Sequence, residues 1–143
     1  IHPNKNCYIF NSRRTPNSIN QKLASLNIIH KNVTFCDLNL SSSDFEMTLE
    51  KASSKLITRD SVNMIFESLS CKGKTYLMDM KEKQSSNKVV KIVDNLIKNK
   101  KVGFIDCTNV VDDMSKMKLQ KQNIHNDIYA EVEKVSYKLQ RLL

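Results

Sequence analysis

The sequence predicts a mostly helical α+β fold: a winged helix in the order helix, strand, helix, helix and β-hairpin, followed by a long amphipathic C-terminal helix. Three observations carry that reading. Capped amphipathic stretches fill residues 43–72. Two segments of alternating hydropathy, Thr75–Met80 and Lys88–Asp94, flank the polar loop Lys81–Asn87. Apolar residues then step by threes and fours from Val110 to Leu142. A chain of 143 residues is long enough for one domain with its own core, or a small domain with an appendage.

Taken in order, Cys7-Tyr-Ile-Phe10 is a short apolar run with strand character, inside an N-terminal extension of residues 1–17. The polar turn Asn11-Ser-Arg-Arg-Thr-Pro-Asn17 follows it. The predicted winged-helix domain covers residues 18–94. Ser18 caps its first helix, whose apolar face is Ile19, Leu23, Leu26 and Ile29, and Val33–Cys36 reads as a brief strand. Ser43-Asp-Phe-Glu46 has the capping-box form, a Ser hydroxyl meeting the N3 amide while Glu reaches back, and Phe45, Leu49 and Ala52 follow on one face. Leu56-Ile57 is placed in a turn and Thr58 caps a third helix with the stripe Val62, Ile65, Phe66 and Leu69, which Gly73 stops. The hairpin comes next, then a basic tether over residues 95–108 with Val102–Asp106 extended, then the helix 109–143. Its seam is Val110, Met114, Met117, Ile124, Ile128, Val132, Val135, Leu139 and Leu142. A helix of that length exceeds what one small domain covers, so it calls for another partner.

Composition narrows the function classes. The chain has two Gly, two Pro, no Trp and 15 Asn. So few glycines disfavour the loops in which backbone closely cradles a nucleotide phosphate. Of the net charge of +8, +6 lies in residues 72–101, where nine Lys meet Asp79, Glu82 and Asp94. Lys81, Lys83, Lys88, Lys91, Lys98, Lys100 and Lys101 form the expected contact for an acidic partner or an anionic membrane; the alternative is a solvated hairpin kept soluble by its lysines. Cys7, Cys36, Cys71 and Cys107 are widely spaced, without metal-ligand pairing, and read as reduced thiols of a cytoplasmic or nuclear protein. No apolar run reaches membrane-span length, and opening at Ile1 the chain reads as a piece of a longer protein.

Motifs with tempting chemistry are outweighed by plainer readings. Gly73-Lys74-Thr75 imitates the end of a P-loop, but position 68 is Ser and the helix precedes the strand. His2, His30 and His125 are scattered, and Asp112-Asp113 suits the start of a helix dipole better than paired catalysis. No nucleophile, base and oxyanion site assemble, so no enzyme, cofactor, metal or small-molecule substrate is expected. The predicted third helix offers Arg59, Asp60, Asn63, Glu67, Ser68, Ser70 and Lys72, two acids against two bases, which disfavours sequence-specific DNA reading.

The helix pair from Asp44-Phe45 to Leu69, the hairpin Thr75–Met80 and Lys88–Val93, and Asp106 with Val110-Val-Asp-Asp-Met114 opening a long helix together resemble the ESCRT-II/ESCRT-III hybrid proteins, the charged multivesicular body protein family member of nuclear-envelope surveillance. The resemblance implies a second winged helix plus the start of an ESCRT-III core. It implies a non-enzymatic adaptor in membrane remodelling and protein transport, partnered by ESCRT-III subunits or a LEM-domain membrane protein at the nuclear envelope or endosomal membrane. Two alternatives stand beside it: a nucleic-acid module using the basic wing, and a structural subunit of a larger complex. On this reading, truncation before Asn109 leaves a folded domain.

Overall fold

The structure, a computed structural model, describes residues 4–38, 43–79, 88–107, 118–122 and 127–141. These divide into two compact units, Ile1–Glu50 and Lys51–Leu143.

In the first unit, β1 (Cys7–Phe10) leads through α1 (Asn17–Ile29) to β2 (Val33–Cys36), and α2 (Ser43–Lys51) closes it. β1 and β2 run parallel in the register Cys7↔Val33 to Phe10↔Cys36, so α1 is the crossover that a parallel pair requires. All four elements lie where the apolar patterning puts them. Leu23 and Leu26 are half-buried, whereas Ile19 and Ile29 of the expected face are exposed. Pro16, not Ser18, is the cap residue of α1, its ring fixing the backbone turn without a side-chain cap bond. Val33 is buried, and Phe10 meets Phe45 edge to face at 5.1 Å.

The second unit is built from β3 (Ser54–Thr58), α3 (Val62–Leu69), β4 (Lys74–Asp79), α4 (Lys88–Lys98), β5 (Gly103–Asp106), β6 (Lys118–Gln120) and α5 (Asp127–Gln140). Its sheet has the order β3-β4-β5-β6, with the first three strands parallel and β6 antiparallel at the edge. Consecutive parallel neighbours joined by right-handed crossovers place both helices on one face of the sheet. The core agrees: Ile57 and Leu77 from the strands pack with Ile65 and Leu69 of α3, Val93 of α4 and Val102, and Leu96, Ile97, Phe104 and Ile128 close around them. Leu56, on the opposite face of β3, is 53 % exposed.

This architecture replaces the winged helix. Leu56-Ile57 belongs to a strand, not a turn, and Thr58 ends that strand while Ser61 caps α3. The second strand of the expected wing is α4: Val93, Leu96 and Ile97 recur at i, i+3 and i+4 and turn one face to the core, which a two-residue period would not allow. The expected loop at residues 81–87 lies outside the described residues. Val102–Asp106 of the tether is mostly β5, because pairing with β4 satisfies its backbone. The long helix from residue 109 does not exist as one piece. β6 interrupts it, and α5 has 14 residues. Ile128 joins the core and the buried Gln122 side chain accepts the Thr75 amide at 2.7 Å, so removing everything after residue 108 would open the unit.

One packing detail is directly testable. Thr75 sits in the central strand fully buried, and its Oγ1 has no hydrogen-bond partner among the described residues. Thr75→Val keeps the shape and removes the desolvated hydroxyl, so stability should stay level or rise by up to about 1 kcal/mol. A loss of more than that in urea unfolding would mean that the hydroxyl is bonded.

Candidate functional site

In open parallel α/β sheets, loops that leave the carboxyl ends of the strands converge, and ligands bind in the crevice outside them. The sequence leaves β3 through Arg59-Asp60-Ser61, short polar residues that turn the chain into α3. No acidic residue occupies the first turn of α3 and Ser61 makes no side-chain cap bond. The Arg59 amide donates to the Met78 carbonyl at 3.2 Å, tying this loop to β4. Its guanidinium, 16 % exposed, has Nη1 at 3.3 Å from Asp79 Oδ1, at the end of β4, and Nη2 donating to Asp94 Oδ1 of α4. Cys107, just past β5, donates its amide to the Asp79 carbonyl at 3.3 Å. One arginine therefore ties the loop after β3 to the end of β4 and to α4. Half-burial makes this pairing worth more than a surface ion pair, because fewer waters compete for the guanidinium.

The first unit has a polar knot at the same end of its strands. Asn11, 5 % exposed just after β1, donates through Nδ2 to Asp37 Oδ1 at 2.8 Å and to Asn20 Oδ1 at 3.2 Å, and its Oδ1 accepts the Leu38 amide at 2.8 Å. Beyond it, Thr15 Oγ1 accepts the Ser12 amide at 2.9 Å and Ser12 Oγ accepts the Arg14 amide at 3.2 Å. This folded turn presents Arg13 and Arg14, both exposed, immediately before α1, whose first turn carries no acid. Two guanidinium groups at the positive end of a helix dipole favour an anion.

The residues singled out from sequence are distributed differently. Lys81 and Lys83 lie outside the described residues, as does the side chain of Lys88, whose backbone opens α4. Lys91 and Lys98 are on the exposed surface of α4, Lys100 is exposed with a positive φ of 53°, and Lys101 pairs with Asp127 at the start of α5. They do not line a hairpin. Of the helix interface, Val110, Met114, Met117, Ile124 and Leu142 lie outside the described residues, while Ile128, Val132, Val135 and Leu139 are on α5. His2, His125 and Asp112-Asp113 also lie outside them. His30 ends α1, its amide donating to the Leu26 carbonyl. None of the four cysteines is in a disulfide, and all are half-buried. Lys74-Thr75 opens β4 after a helix, the reverse of a P-loop. Arg59, Asp79 and Asp94 were not singled out as a group; reading Ser54–Thr58 as a strand would have put Arg59-Asp60-Ser61 at a strand-to-helix turn.

Topology and element order define an α/β protein with two sheets rather than a winged helix followed by one long helix. A family model described as Mitochondrial fission ELM1 matches residues 2–131. The chain belongs to that family. No curated protein and no solved structure matches it significantly.

This finding overturns the ESCRT resemblance and, with it, the adaptor function and the ESCRT, nuclear-envelope and membrane-remodelling assignments. The features behind the resemblance were amphipathic helices and alternating segments, which a parallel α/β unit also contains. The nucleic-acid and structural-subunit alternatives gain nothing: α3 is a crossover helix whose Ile65 and Leu69 are wholly buried, and the basic wing is absent as a hairpin. Among the described residues no group of three His, Cys, Asp or Glu can hold a metal, and no helix is long and apolar enough to cross a membrane.

Proposed function

We propose that this chain serves mitochondrial fission as an α/β binding module that takes a small phosphate-bearing anion at the carboxyl ends of its strands. The family match over residues 2–131, which reaches into both units, supports the cellular role. The ligand class rests on the Arg13-Arg14 turn ahead of α1, where two exposed guanidinium groups meet a helix start free of acids. It departs from the expectation of no small-molecule substrate. No catalytic step is assigned.

Two measurements test the two halves separately. Isothermal titration of the chain with ADP and with inorganic phosphate should give saturable binding, weakened about tenfold or more in Arg13→Ala/Arg14→Ala. Absence of heat with both anions, or an unchanged affinity in the double variant, removes the ligand reading. Depletion of the protein should elongate the mitochondrial network in live-cell imaging. An unaltered network removes the cellular role and leaves the binding result standing.

A further inference from the structure

α5 begins docked and continues bare. Asp127 pairs with Lys101, Lys72 Nζ lies 5.8 Å from the Tyr129 ring centroid, and Ile128 packs against the core. Beyond them Val132, Val135 and Leu139 are 40, 54 and 55 % exposed, and the helix has no buried residue. The four apolar residues from Ile128 to Leu139 follow the 4-3-4 spacing of a helix-pairing seam. That spacing is palindromic about the Glu133-Lys134 peptide.

The charges are arranged around the same centre. Asp127, Glu131 and Glu133 lie in the first half of the helix and Lys134, Lys138 and Arg141 in or just after the second. We propose that α5 is the seam of a two-fold dimer, in which a second copy of this chain lays its α5 antiparallel on the first. Val132 of each copy meets Val135 of the other, and Leu139 covers the part of Ile128 that its own core leaves exposed. Glu131 and Lys138 flank the seam on one side, about one helical repeat apart, so antiparallel pairing sets each Glu131 opposite the other copy's Lys138. A parallel pair would set like charges together. The contact is isologous and closes at two copies.

Sedimentation equilibrium of the full chain should give a dimer at micromolar to millimolar concentration. Val132→Glu/Val135→Glu should leave a folded monomer, since α5 contributes neither side chain to the core. Glu131→Lys and Lys138→Glu, each alone, should weaken the dimer about tenfold, because both symmetric pairs change from attraction to repulsion. Mixing those two variants should restore dimer, as every pair across the seam is then opposite in sign. A wild-type monomer throughout that range overturns the proposal. So does a dimer indifferent to Val132→Glu/Val135→Glu, or a mixture no tighter than its components, which would place any association elsewhere.

Discussion

Gly73→Ala should destabilise the Lys51–Leu143 unit by about 3 kcal/mol. Gly73 has φ +87°, a conformation L side chains rarely adopt, and a Cβ there would lie 2.3 Å from the Ala52 carbonyl oxygen and 2.8 Å from that of Ser53. Both obstacles are backbone, so no rotamer change relieves them. Moving the Ser70–Gly73 turn away would strain the bond from the Lys74 amide to the Ser53 carbonyl, which starts the pairing of β4 with β3. Urea unfolding measures the loss, and a midpoint more than about 10 °C lower in thermal unfolding is expected with it. Gly73→Asn separates the causes: Asn tolerates positive φ better but carries the same Cβ. If Asn restores stability, the close approach to residues 52 and 53 is not what demands glycine.

Gly73 was legible as a helix stop, and its neighbourhood explains what was not. β1, α1, β2, α2, α3 and β4 follow ordinary patterns, apolar runs or stripes bounded by polar turns. β3 inverts the pattern, with Lys55 buried and Leu56 exposed, so an alternation of the right period carries residue types of the wrong sign. Only the carbonyls at the end of α3 and in the turn after it make sense of a lysine pointing inward. α4 misled for another reason. Val89, Val90, Ile92 and Val93 are β-formers by local preference, and the helical period becomes evident only when Leu96 and Ile97 are counted with Val90 and Val93. Two misread elements were enough to turn a parallel sheet into a hairpin. The site went with them: Arg59 looked like one polar residue on a helix surface, whereas its partners Asp79 and Asp94 stand 20 and 35 residues further on, brought near by sheet and crossover.

Lys55 gives the second large effect. Its Nζ donates to the carbonyls of Ser68 at 2.7 Å, Cys71 at 3.1 Å and Lys72, so one ammonium closes the exposed carbonyl end of α3 and the turn after it. Lys55→Met fills similar space but leaves three acceptors without their donor, and a loss of about 2 to 3 kcal/mol is expected in urea unfolding near pH 7. A loss under about 0.5 kcal/mol would mean that water replaces the ammonium freely. The pH response carries a definite sign. Burial lowers the Lys55 pKa, with Cys71 opposing. Between the lowered folded value and the ordinary lysine value the unfolded chain binds more protons, so the Lys55 contribution rises with pH across that window. Lys55→Met should flatten this rise in stability; an identical slope in both proteins would show that the proton is not Lys55's. Because Lys55 grips Lys72 while Gly73 rests on Ser53, the two residues hold one turn from opposite sides. The double variant should therefore lose less than the sum of the single losses, once either change has freed the turn.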